Sequence, residues 1–338
     1  MTTVSLLGVA SYLPERVVHN DFFAPGTAAR RGMFTAPATR RHVASEESAA
    51  EMIERASRRL IDDLNLVPAH DIDIVLTNVA IPDQPFTGCG AEVAHRIGSG
   101  ASWVIDLHNT GCVSFVYMLA LARMLLSTTD ARGALLCNVQ DAAGRVFAHP
   151  KVRMTSPAPV PGDGCGVAYV TRSEISPLRA LVQHCHPEYA RDMSVAADDG
   201  RRYWEPGNSA ISIAFTESRV ASIIARGNKL VPELVREACA EAGIRVADLA
   251  LLITNQPNAI FLRNWREALE LSAGAHYDSF DRYGNLFGAA LPINLDEALR
   301  AGKLAGGGWL AFGGFAHAGD YSAAAIVDFR RGAKEKRP

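Results

Sequence analysis

The chain carries almost no net charge. It has 34 Lys and Arg against 36 Asp and Glu over 338 residues, a balance of −2. A nucleic-acid binder needs a basic face, so this balance argues against one. Long hydrophobic runs are also scarce. The most apolar stretch, Phe115 to Leu126, is about twelve residues long and contains Arg123, whereas a spanning helix needs about 20 apolar residues; no membrane association is expected. The N-terminus lacks a basic, then apolar, leader, so a cytoplasmic location is expected. Cysteines are few and scattered (Cys89, Cys112, Cys137, Cys165, Cys185 and Cys239), which reads as reduced thiols rather than a disulfide framework. With 48% hydrophobic and 21% charged residues, the chain is not disordered. Its length suits roughly two domains or two halves.

What the sequence does contain is a repeat of itself. Residues 71–86 read DIDIVLTNVAIPDQPF, and residues 248–261 read DLALLITNQPNAIF. Each is an aspartate, an apolar run, Thr-Asn, then a proline-bearing loop that ends in Phe. Each follows a helical pattern: 48–64, with Met52, Ile53, Ala56, Leu60 and Ile61 at three- and four-residue spacing, and 229–242, with Leu234, Val235, Ala238 and Ala242. Downstream, 106–126 and 278–299 each give a short strand, a glycine and a long apolar helix, and 133–140 and 307–314 give further strands. Thr77 with Thr254, Gly111 with Gly284, and Gly133 with Gly308 keep offsets between 173 and 177 residues. A recurring period of this kind marks a duplicated unit. The boundary falls near residue 170, giving halves 1–170 and 171–338. Alternating helices and strands predict an α/β fold with mostly parallel sheets. The helices 112–126 and 285–299 are expected to form a shared middle layer, being apolar nearly all round. The proline-crowded stretch 141–228 is expected to be an irregular, substrate-facing insertion.

The duplication aligns Gly111-Cys112 with Gly284-Asn285, each expected to open a buried helix. A helix N-terminus presents unpaired N–H groups and a partial positive charge, which favours a thiolate. Cys112 is therefore the candidate nucleophile, placed at a strand end where α/β sheets bind ligands. The other five cysteines are expected to be structural.

Several segments together resemble the ketoacyl-ACP synthase III branch of the thiolase superfamily. They are SYLPE (11–15), TRRHVA (39–44), PFTGCG around Phe86, NTGCVSF (109–115), PGDGCGVA (161–168), YGNLFGAALPINLDEAL (283–299) and AFGGFA (311–316). Their order and spacing cover nearly the whole chain. The resemblance implies a thiolase-like five-layer αβαβα fold with two pseudo-symmetric halves, a homodimer, and thioester chemistry with no permanently bound cofactor and no metal. Acyl-CoA or an acyl carrier protein would donate the acyl group to Cys112. The resemblance places the oxyanion on the N–H groups of Cys112 and Gly314. It makes Phe86, reaching across the dimer, and Phe287 pocket residues, Asn285 a catalytic amide, and Arg263 and Arg266 a carrier-protein surface.

Two departures stand out. The family's histidine belongs to an HQAN-type motif, and that stretch here reads Asn255-Gln256-Pro257-Asn258. Asparagine can donate hydrogen bonds but cannot carry a titrating proton. His317, in GGFAHAGD, with Asp320 three residues on, is the candidate replacement base. The family's Trp and Arg for stacking CoA adenine are also absent from Arg30–Thr35, which leaves CoA and carrier protein open as donors. A base in place of an enolate-holding histidine suits transfer to a small-molecule oxygen or nitrogen acceptor, as in specialised, polyketide-type metabolism. An atypical decarboxylative condensing enzyme is the alternative, and a non-catalytic partner subunit is the reading of a different class.

Overall fold

A computed structural model describes residues 2–25, 32–108, 110–202, 204–205, 207–214 and 217–330. Arg30, Arg31 and Asn109, named above, lie outside the described residues. The chain begins with β1 (Val4–Tyr12) and a small pair, β2 (Arg16–His19) and β3 (Thr39–His42). There follow α1 (Ala49–Leu64), a single turn α2 (Pro68–Asp71), β4 (Ile74–Val79), α3 (Gly90–Ile97) and β5 (Trp103–Asp106). Then come α4 (Ser114–Thr128), β6 (Gly133–Gln140) and β7 (Gly164–Arg172). The second run holds β8 (Leu178–Cys185), the hairpin strands β9 (Ser194–Ala197) and β10 (Ile211–Ala214), and α5 (Glu217–Glu241). After it come β11 (Leu249–Thr254), α6 (Ala259–Ala268), β12 (His276–Tyr277) and α7 (Phe280–Tyr283). The chain closes with α8 (Ala290–Arg300), β13 (Gly308–Ala316) and β14 (Tyr321–Phe329).

Local sequence explains why α1 starts and stops where it does. Ser48 accepts from the Glu51 N–H, and the Glu51 carboxylate takes the Ser48 N–H, a capping box. Asn65 ends the helix in the left-handed conformation at φ 52°. The apolar spacing read from the sequence becomes one buried face, Met52, Ile53, Ala56 and Leu60.

Two five-stranded sheets carry the duplication. One runs β1-β7-β6-β4-β5 and the other β8-β14-β13-β11-β12, element for element. In each, the two pairings around β4 or β11 are parallel and the two outer pairings are antiparallel. The sheets are thus mixed, not mostly parallel as the sequence suggested. β13 and β14 are joined by only four residues, and so short a link permits only an antiparallel neighbour.

The helices complete five layers. α1 and α3 cover the outer face of the first sheet, and α5 and α6 that of the second. α4 and α8 fill the space between, where Phe115, Leu119 and Leu126 meet Leu291 and Leu295 against Leu136 and Phe312. The stretch Gly111–Thr128 is the one helical run among the described residues with the length and apolarity of a membrane span; in the fold its apolar sides face the two sheets. Leu119 is fully buried there. Leu119→Ala is expected to cost about 2–5 kcal/mol, read as a fall in the urea midpoint.

α8 differs from expectation. It starts at Ala290, behind a 3-10 turn at Phe287–Ala289, and buries polar side chains. Asn294 accepts from the Ser279 hydroxyl, and Asp296 accepts from Ser11 at 2.6 Å and Arg59 at 2.5 Å. The stretch 141–228 also needs correction. β7 and β8 lie inside it and are core strands of the two sheets, and α5 begins in it and runs through Pro232. The prolines crowd only the loop before β7. The parts of it that face the central cavity are Ala142, Val146 and Phe147, the proline loop at Pro157, Val160 and Pro161, Met193 and Val195, and Ile211–Ile213 on β10.

Candidate functional site

The two middle helices begin side by side. Gly111 takes φ +46° and Gly284 φ +70°, each a left-handed turn that lacks a Cβ penalty only in glycine. A 3-10 turn, Gly111–Val113, carries Cys112 into α4. The counterpart turn brings Gly288 so close that an added Cβ would lie 2.3 Å from Ser114 Oγ and 2.6 Å from the Gly111 carbonyl oxygen. The two helix tips are therefore packed against each other, and both open into one cavity of about 410 Å³.

Asn285 is held from below by the 160–163 segment. Its N–H donates to the Val160 carbonyl at 2.9 Å, and its carbonyl accepts from Gly162 N–H at 3.1 Å. Its Oδ1 accepts from Phe287 N–H at 3.1 Å, which leaves the NH2 end as the available donor. Gly162 cannot carry a side chain, since a Cβ would sit 1.9 Å from the Tyr283 carbonyl oxygen. Next to it, the buried Asp163 accepts the N–H groups of Val43, Ala143 and Gly144 at 2.7–2.8 Å. The PGDGCG motif thus braces the asparagine.

On the other side stands the β13–β14 turn. His317, at φ +49°, places Nδ1 3.1 Å from both Asp320 carboxylate oxygens. A carboxylate only accepts, so Nδ1 is the protonated nitrogen. Nε2 faces the nucleophile turn, where a Cβ on Gly111 would be 2.8 Å from it, and in the neutral ring it carries the lone pair. Asp320 is buried behind the ring and does not line the cavity.

Asn255 directly follows β11 and is almost completely buried. Its amide donates to the Phe315 carbonyl at 3.0 Å and hydrogen-bonds the Cys112 sulfur. Two backbone N–H groups, those of Cys112 and His317, also point at that sulfur. Gly314 lies within β13 opposite Ala323, with Asn255 Oδ1 over its Cα, where a Cβ would come within 2.7 Å; it is not part of the cavity wall.

The thiol itself differs from the expectation of a resting thiolate. Burial pushes Cys112 up to about 12, and the Asn255 amide and the two N–H groups only partly oppose this. Cys112 keeps some exposed surface, but that surface faces the cavity rather than open water, so desolvation dominates over the helix terminus.

Cys112, Asn255, Asn285, Phe287 and His317 share the cavity. Phe86 does not; it is 99% exposed, on the loop after β4. Arg263 and Arg266 lie on α6, Arg263 exposed and 3.8 Å from Glu267 and Arg266 half-buried, away from the cavity lining. His108 and Ser212 do line it. No motif marked either one; His108 follows the end of β5 and Ser212 lies on β10. No Lys, Arg, Asp or Glu lines the cavity among the described residues.

Residues 239–329 match the family model for the 3-oxoacyl-[acyl-carrier-protein] synthase III C-terminal region. Over almost its whole length the chain is similar to a beta-ketoacyl-[acyl-carrier-protein] synthase III from Desulfitobacterium hafniense (strain Y51), with 25% identity covering 98% of this chain and 100% of the relative. In structure it is similar to the priming beta-ketosynthase of the R1128 polyketide biosynthetic pathway, with a TM-score of 0.85 and 21% identity, covering 98% of each chain. It is also similar to a beta-ketoacyl-[acyl-carrier-protein] synthase III from Thermus thermophilus, with a TM-score of 0.81 and 24% identity, covering 97% of this chain and 100% of the other. Along nearly its whole length the chain is thus similar in sequence and in fold to beta-ketoacyl-[acyl-carrier-protein] synthases III, and its C-terminal part matches their family model.

Proposed function

We propose that the protein is a thioester-dependent acyltransferase that loads an acyl group on Cys112 and delivers it to an oxygen or nitrogen of a small acceptor. The observation that carries this is the His317–Asp320 pair, with Nε2 turned toward the nucleophile turn, while Asn255, which cannot titrate, occupies the position next to the sulfur.

Each half-reaction needs one proton moved. In loading, His317 Nε2 takes the Cys112 proton, the sulfur attacks the donor thioester carbonyl, and the donor thiolate leaves with the proton returned from His317. In transfer, His317 takes the acceptor's O–H or N–H proton, the acceptor attacks the acyl-cysteine carbonyl, and the Cys112 sulfur leaves and is reprotonated. The N–H groups of Cys112 and His317 and the amide of Asn285 are the donors available to the oxyanion. The acyl donor is a thioester of CoA or of an acyl carrier protein, the carrier protein being the one that the relatives' names carry, and the working unit is a homodimer in which Phe86 enters the partner's cavity.

Similarity to a priming ketosynthase favours a second reading, decarboxylative condensation with the acyl-cysteine. There Asn285 would hold the enolate through its free NH2. The two readings share the loading step and part at the second. Acyl-enzyme mixed with a malonyl thioester is expected to release no CO2, and mixed with alcohols or amines to give ester or amide. CO2 release with a β-ketoacyl product would overturn the acyltransferase reading and establish the second.

A further inference from the structure

The turn that carries His317 is an unfavourable one. His317 sits at φ +49° and Gly319 at φ +100°, closed by a Gly319 N–H to Ala316 carbonyl bond at 2.8 Å. A left-handed histidine persists only where its surroundings over-determine it. Besides the β13–β14 ladder and the His186 N–H to Asp320 carbonyl bond at 2.7 Å, one side chain from α5 contributes to this. Arg226 donates through Nη1 to the Ala318 carbonyl and through Nη2 to Asp192 Oδ2 at 2.8 Å. Its guanidinium lies 3.3 Å over the Tyr189 ring centroid. Gly319 passes over its stem so closely that a Cβ there would be 2.6 Å from Arg226 Cδ. Asp192 immediately precedes Met193, and Met193 and Val195 line the cavity. The same guanidinium therefore fastens the base-bearing turn on one side and the cavity wall on the other.

We infer that Arg226 is a positioning residue for His317, tying the orientation of the base to the cavity wall that holds the acyl group. The inference rests on His317 acting as the base. Arg226 touches neither Cys112 nor the cavity, so its effect passes through the turn. Lysine could keep one of the two bonds but not the planar fork that makes both.

The test measures acyl transfer, the pH profile of loading and the carbethoxylation rate of His317 by diethyl pyrocarbonate, the last followed by mass spectrometry. Arg226→Met is expected to lower kcat by up to about 10²-fold, the scale set by ångström misplacement of a catalytic group, with KM for the donor changed far less. Arg226→Lys should recover part of the loss, and His317 should be carbethoxylated faster in Arg226→Met. In a His317→Ala background, Arg226→Met should add nothing, the signature of two residues acting as a unit. Unchanged kcat, or the same loss in both backgrounds, would overturn the inference. If Arg226→Met does not fold, Asp192→Asn, which removes only the charge beneath Nη2, must give the same pattern in weaker form. If His317→Ala alone is silent, the base assignment fails. The carbethoxylation rate then still decides whether Arg226 holds the turn.

Discussion

Cys112→Ala is expected to abolish the acyl adduct seen by intact-protein mass spectrometry after incubation with an acyl-CoA or acyl carrier protein thioester. Transfer to any acceptor should fall by about 10⁴-fold or more, as when a covalent nucleophile is removed. The expectation follows from where the six thiols lie. Cys89, Cys137, Cys165 and Cys239 are buried, and burial pushes Cys89 up to about 12 and Cys239 to about 11, with Cys137 and Cys165 also raised. None of them lines the cavity. Cys185 is exposed at the end of β8 and serves as the control, since Cys185→Ala should leave the adduct intact. Folding should survive the Cys112 change, because only a small side chain facing a cavity is lost. An adduct of full occupancy on Cys112→Ala would show that Cys112 is not the acylated group, and no adduct on the wild-type protein with any thioester would return the non-catalytic partner subunit to consideration.

The sequence disclosed the site better than it disclosed the fold around it. The Thr77 and Thr254 repeats lie in β4 and β11, the equivalent strands of the two sheets. Thr77 Oγ1 reaches Asp106 on the adjacent strand at 2.5 Å, and Thr254 Oγ1 meets His276 Nε2 on its own at 2.9 Å. The pairing of Gly111-Cys112 with Gly284-Asn285 found the right turns but was three residues out: the turn into α8 opens at Phe287, whose φ of +47° matches the +46° of Gly111, so the position equivalent to Cys112 is Gly288, while Asn285 lies in the loop just before it. β7 was hidden because it is almost wholly buried, and β8 because Arg179, Gln183 and His184 break its apolar run, so neither shows a clean alternation that separates strand from loop, and the prolines beside them read as irregularity. α8 was read as uniformly apolar although Asn294 and Asp296 point inward. Ser11 and Arg59, which meet Asp296 alongside the local Arg300, come from the far end of the chain, and no local pattern announces such a match.

The state of the nucleophile was not legible either. Helix position alone argues for a lowered thiol, yet desolvation is a property of the assembled cavity, and it reverses the sign. Arg226 shows the same limit. In the sequence it is one arginine among many on an amphipathic helix. Only the fold sets its fork against the Ala318 carbonyl and Asp192.

A thiol held near 12 makes the base indispensable near neutrality, and this gives the second large effect. At pH 7 the free Cys112 is protonated, and its thiolate fraction rises about tenfold per pH unit until the pH approaches 12. With His317 taking the proton during attack, the wild-type protein does not depend on that fraction. His317→Ala removes the acceptor, so acyl loading at pH 7 should fall by about 10²–10⁴-fold. The deficit should shrink as the pH rises, because hydroxide then supplies the thiolate directly. The variant's loading rate is expected to climb close to tenfold per unit between pH 7 and pH 10, while the wild-type rate climbs far less. Asp320→Asn should show a milder form of the same profile, since the ring loses the carboxylate that accepts its Nδ1–H at 3.1 Å and with it the tautomer that presents Nε2. Rapid-quench mass spectrometry of the acyl-enzyme across that pH range measures all three proteins. Loading by His317→Ala at the wild-type rate at pH 7, or with the wild-type pH slope, would show that the sulfur is activated by its neighbouring N–H groups and Asn255 alone, and the His317–Asp320 pair would lose its role in the chemistry.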